Sequence, residues 1–93
     1  MSELVKFDLL SVDAWRDCDG GWNWNNWHTI ERDIFIAESE ISPRKIFAML
    51  RKWNYLTPAS KGKMAMQDDG HNIVIAMKST GEPVLALEYG HYL

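Results

Sequence analysis

Apolar and polar residues alternate along the first stretch of the chain: Val5, Phe7 and Leu9 enclose Lys6 and Asp8, and then Leu10, Val12 and Ala14 enclose Ser11 and Asp13. Strand side chains change face at every residue, so the run predicts a strand. The parity switch between Leu9 and Leu10 predicts a bulge there, or cover on both faces. A second, half-buried strand is expected where Ile30, Ile34 and Ile36 face one way and Glu31, Asp33 and Glu38 the other. Between them, Asp17 to Asn26 is turn-rich, and the stretch Asp17 to His28 reads as a loop of about a dozen residues.

The period then changes. Ser42 and Pro43 start a helix, because serine caps free amides and proline is pre-organised for the first turn. The expected helix runs to about Leu56, with Ile46, Met49, Leu50, Trp53 and Leu56 on one arc and Arg44, Lys45, Arg51 and Lys52 on the other. Ile46, Leu50 and Trp53 are expected to form its side of the core. Thr57 to Gly62 reads as a loop. Three further strands follow, Lys63 to Gln67, Ile73 to Lys78 and Val84 to Tyr89, separated by turns that carry Asp69 and Gly70, then Gly81 and Pro83. The expected fold class is α+β: a single domain over residues 1–93, with an antiparallel sheet of about five strands on one amphipathic helix, in the order ββαβββ. The apolar strand Val84 to Leu87 is a candidate sheet edge at which two chains pair, so both monomer and homodimer stand open.

Length and composition fit one core: 93 residues, 46% of them hydrophobic, with five tryptophans to enlarge the buried area. Cys18 is the single cysteine, so no intramolecular disulfide forms. With no secretory signal at the N-terminus and no apolar run of roughly 18–20 residues, the expected location is cytoplasmic and no membrane is involved. The net charge of −3 conceals an asymmetry. Residues 41–67 carry Arg44, Lys45, Arg51, Lys52, Lys61 and Lys63 and no acid, whereas the first forty residues are strongly acidic.

Two candidate surfaces emerge. The first is the aromatic stretch, in which Trp22, Trp24 and Trp27 alternate with Asn23, Asn25 and Asn26 beside Asp17 and Asp19. Exposed indoles offer flat anchors and asparagines directional hydrogen bonds, so Asp17, Asp19, Trp22, Asn23, Trp24, Asn25 and Trp27 form a candidate protein-binding site. The competing reading folds at least two indoles inward over one end of the sheet. Alternation sends Trp22 and Trp24 to the same side. The second surface is the basic one, Arg44, Lys45, Arg51 and Lys52 with Lys61 and Lys63 nearby, suited to phosphates or an acidic protein, or else a solvated helix face.

Other chemistry is poorly supported. Counting from Asp17 as an EF-hand start puts Trp22 at the position that requires glycine and His28 at the one that requires a carboxylate. His28, His71 and His91 lack metal-ligand spacing, and Cys18 lacks the context of a nucleophile, so no metal, cofactor or catalytic residue is expected. Gly20 and Gly21 precede tryptophans and asparagines rather than a helix and do not make a phosphate loop.

The run Val12 to Trp27, VDAWRDCDGGWNWNNW, resembles the start of small uncharacterised accessory proteins of tailed bacteriophages and prophages, which pair an acidic strand with a GGW and WN aromatic loop. The resemblance covers about the first third of the chain. It implies an accessory protein in the bacterial cytoplasm acting on a host or defence protein. The expected function is therefore a non-enzymatic protein-binding module, an anti-CRISPR-like inhibitor of a host defence or nucleic-acid-processing complex. The alternative is a nucleic-acid binder that uses the basic helix face and stacks loop aromatics on bases.

Overall fold

Every β-strand in the structure, a computed structural model that describes residues 3–90, joins one antiparallel sheet. Along the chain the elements are β1 (Leu4–Arg16), β2 (Trp22–Ala37), α1 (Pro43–Lys52), β3 (Met64–Asp68), β4 (Asn72–Met77) and β5 (Pro83–Tyr89). Across the sheet the order is β2-β1-β5-β4-β3. The first hairpin and the C-terminal meander thus meet at the β1–β5 seam, where Phe7 pairs with Tyr89 and Ser11 with Leu85. This order overturns the expectation that Val84 to Leu87 forms an edge: β5 is the central strand, and its two-sided apolar pattern reflects cover on both faces. The edges are β2 and β3.

Helix α1 lies on one face. Ser42 accepts a hydrogen bond from the Lys45 amide at 3.4 Å, and Pro43 occupies the first turn. Ile46 and Leu50 are fully buried against Phe7, Leu9, Ile73 and Leu87. Burying each such side chain stabilises the fold by roughly 1.5–3 kcal/mol. The helix stops earlier than the apolar arc predicted. Asn54 adopts a left-handed conformation at φ 65°, the Tyr55 amide donates to Leu50 O at 2.8 Å and the Asn54 amide to Arg51 O at 3.0 Å. These are the two crossed bonds of a Schellman ending, with asparagine in the place often taken by glycine. Trp53, assigned to the core from the wheel, caps the helix and remains 40% exposed.

Strand β2 departs from simple alternation. Its register with β1 shifts between Phe7 and Leu9, between Leu9 and Leu10, and between Ser11 and Val12, which leaves Trp27, Ile30 and one of Arg32 and Asp33 without a direct partner. The parity switch read at Leu9 and Leu10 corresponds to this irregularity. Ile30, expected on the face of Ile34 and Ile36, is instead 41% exposed, because an extra residue turns it out of line. Asp33 takes φ 58°, held by its amide on Asp8 Oδ1 and by an ion pair with Lys6 at 2.9 Å.

Candidate functional site

The outer part of the β1–β2 hairpin leaves the sheet. β1 pairs with β5 only from Phe7 to Ser11, so Val12 to Arg16 have β2 as their sole strand partner. The bulge beside Ser11 and Val12 bends this two-stranded arm, since an extra residue raises local twist. At its tip the expected long loop is a short turn. Asp17 Oδ1 accepts the amides of Asp19 at 3.0 Å and Gly21 at 2.9 Å, while the Asp17 amide donates to Gly21 O. With the tip closed by Asp17, the residues from Trp22 to Asn26 are free to continue β2 as strand.

The arm curls back over the sheet face opposite α1. Trp22 Nε1 donates to Thr80 O in the β4–β5 turn at 2.9 Å, and Asn26 Nδ2 donates to Glu88 Oε2 at 2.9 Å. Arm and sheet enclose a cleft of about 690 Å³. Trp22 and Trp24 form one wall; Ala65, Val74, Ala76 and Pro83 form the floor. The floor is made of small side chains, so the indoles stand clear of it. Gln67, Asp69 and Lys78 supply polar groups at the rim.

Trp22 is held on several sides. The Arg16 guanidinium lies 4.6 Å from the ring centroid and also donates to Gly20 O at 2.9 Å. Gly81 sits at φ 78°, and a side chain there would begin 3.5 Å from the indole Cδ1. Glycine at 81 therefore serves the left-handed turn, while the indole lies at ordinary contact distance from it. At the rim, the Asp69 carboxylate receives the amides of Asn72 at 2.7 Å and His71 at 2.8 Å, which hold its pKa below the ordinary value of 3.8. Asp69 is thus a fixed negative charge.

The proposed aromatic site is divided by the strand. Trp22 and Trp24 share the cleft, as their spacing of two predicted. Asn23 and Asn25 point to the other side of the arm, where Asn23 Nδ2 donates to Asp17 Oδ2 at 3.3 Å. Asp17 organises the turn, and Asp19 is exposed beside it. Trp27 is 62% exposed at a bulge, edge-on to His28, and does not line the cleft. Reading the sequence missed Arg16, Thr80 and Gly81 and the floor from β3 to β5. A signal was present: Val74 and Ala76 interleave with Ile73 and Ile75, which marks a strand covered on both faces.

The basic surface lies elsewhere. Arg44, Lys45 and Lys52 are exposed on α1 and Arg51 is half-buried, while Lys61 and Lys63 lead into β3. Lys45 pairs with Glu40 at 2.7 Å. Because α1 and the tryptophan cleft occupy opposite faces, the helix cations and the two indoles are not assembled into one surface. Cys18 is exposed at the arm tip, His91 lies outside the described residues, and no three His, Cys, Asp or Glu side chains converge on a metal-sized site among the described residues. Among the described residues, no helix is long and apolar enough to cross a membrane. Comparison with protein-family models, with curated proteins and with solved structures finds no match to this chain.

Proposed function

We propose that this chain is a non-enzymatic protein-binding module whose recognition site is the cleft between the hairpin arm and the sheet. The observation that carries the reading is the tether of Trp22 to Thr80. It holds two indoles over a floor of small residues, so that a cavity is kept open. Rigid aromatic walls lose little conformational entropy on binding, and buried aromatic anchors supply most of the energy of protein interfaces. The occupant that fits is a segment of another protein that inserts one or two apolar side chains, with its backbone reached by Gln67, Asp69 and Lys78. The finer reading, an inhibitor of a host defence or nucleic-acid-processing complex in a bacterial cytoplasm, draws its support from the resemblance of Val12 to Trp27 alone.

The nucleic-acid alternative is favoured less, because it needs the basic helix face and the aromatics on one surface. One capture experiment separates the two. Immobilised chain is exposed to bacterial lysate, with and without nuclease, beside Trp24→Ala and Arg44→Glu/Arg51→Glu variants. The expected result is a captured protein that survives nuclease, is lost with Trp24→Ala and is kept by the charge-reversed helix. Capture that disappears with nuclease, or ignores Trp24→Ala, overturns the proposal.

A further inference from the structure

The two sheet edges are built differently. β2 is interrupted by repeated register shifts, a positive φ at Asp33 and projecting Trp27 and Ile30, all of which obstruct addition of a further strand. β3 carries none of these devices. It contains no proline, and its pairing with β4 runs without a register shift from Met64–Met77 to Asp68–Ile73.

The orientation of its backbone follows from its flanks. Lys63 O accepts from the Lys78 amide at 2.9 Å, and the Asp69 amide donates to Asn72 O at 3.1 Å. Strand residues direct their amide and carbonyl groups to alternate sides, so Ala65 and Gln67 bond inward to β4, as do the Lys63 carbonyl and the Asp69 amide at the two ends, while the Lys63 amide donates to Ser60 O at 2.9 Å. The amides and carbonyls of Met64, Met66 and Asp68 therefore point out of the open edge.

Charge along this edge is polarised. Lys63 stands opposite Lys78 at one end, two exposed like charges on neighbouring strands, and neither has an ion pair among the described residues. Asp69 stands at the other end. Like charges directly across a strand pair are unfavourable until an anion joins them.

We infer that β3 is the homodimer edge of this protein, pairing antiparallel with β3 of a second copy about a two-fold axis at Met66. In that register Met66 faces Met66 of the second copy, and the outward backbone groups of Met64 meet those of Asp68. Each Lys63 then falls at the end of the pairing opposite the second copy's Asp69, which offsets the Lys63–Lys78 repulsion, and on the cleft side each Ala65 falls opposite Gln67. A shift of the axis by one residue either way separates Lys63 from Asp69, so the charges select the register. The second copy is chosen over a foreign strand because the opposite charges at the two ends of this edge, Lys63 and Asp69, meet each other when the segment pairs antiparallel with itself. The pairing conserves faces, so both tryptophan clefts open on the same side of one continuous sheet. The assembly presents two equivalent sites to a partner with repeated or symmetric features.

Sedimentation equilibrium of the full chain tests this. The expected result at low ionic strength is a reversible dimer with Kd of about 10 μM, weakened roughly tenfold or more in about 1 M salt. Met66→Pro removes an outward amide that β4 does not use, so it should abolish the dimer and leave the far-UV spectrum unchanged. If that variant misfolds, Lys63→Glu decides, because it leaves the backbone intact and sets Glu against Asp69; dimerisation should weaken at least tenfold. In a Cys18→Ser background, Ala65→Cys chains mixed with Gln67→Cys chains should form a disulfide-linked pair that Ala65→Cys chains alone do not form. A monomer at about 500 μM, a dimer indifferent to Lys63→Glu, or no crosslink in the mixture overturns the inference.

Discussion

Leu50 and Trp53 sit one helical turn apart with similar apolar character, yet Leu50 is fully buried and Trp53 is 40% exposed. Leu50→Ala should therefore cost about 2–5 kcal/mol in chemical denaturation, through lost burial and the cavity left behind. Trp53→Ala should cost about 1 kcal/mol, since much of the ring already meets water. Equal losses would show that the helix ending at Asn54 is misplaced. Two phenols define a pH response. Burial and a 2.5 Å hydrogen bond to Asp68 push the Tyr89 pKa up, and a 2.6 Å hydrogen bond to Glu31 does the same for Tyr55. A group whose pKa rises on folding contributes fully below its unfolded value and loses that contribution as pH climbs through the folded one. The stability advantage of the native chain over Tyr89→Phe should thus be present at neutral pH and shrink as pH rises above 10.0. Thermal melts of both proteins across that range check it; an advantage that grows with alkali would contradict the bond.

At the scale of elements, the arm is the part most exposed to fluctuation. Beyond Ser11 it has no third strand, and its hold on the sheet rests on Trp22–Thr80 and Asn26–Glu88. Hydrogen exchange should find amides from Val12 to Arg16 less protected than those from Phe7 to Ser11, and Trp22→Phe should widen the gap by removing the indole donor. Uniform protection along β1 would mean that the arm is not a separate unit. Acrylamide should quench Trp27 in preference to Trp22 and Trp24, because Trp27 projects from a bulge while the other two are half-buried at the cleft wall. Single-tryptophan variants would resolve the order.

Over the whole molecule, the opposed faces divide the charge and the aromatic chemistry. Lys45–Glu40 is a solvent-exposed pair of the kind worth about 0–1 kcal/mol, and Arg44 and Lys52 have no ion pair among the described residues. Reversing Arg44, Lys45, Arg51 and Lys52 to glutamate should leave the circular dichroism spectrum intact and lower stability by about 1 kcal/mol, with cleft-dependent binding retained. Unfolding of that variant would place these cations in the structural framework instead.

Local pattern determined the strands of the meander to within a residue or two, the serine–proline start of the helix and the irregularity near Leu9, because each depends on side-chain period or on turn chemistry carried by neighbouring residues. The pairing of Trp22 with Trp24 was legible for the same reason. The end of the helix was written at Asn54, but an apolar arc continuing to Leu56 masked it. Tertiary structure alone decided that β5 joins the hairpin at the centre of the sheet, for no local rule states which strand a terminal strand will pair with. It also decided that the turn residues Thr80 and Gly81 meet Trp22, 58 positions away from it in the case of Thr80. The cleft depends on that long-range closure, and the free edge at β3 depends on which strands remained unpaired once the hydrophobic face was covered. Both are properties of the assembled sheet, where backbone pairing and burial are satisfied together.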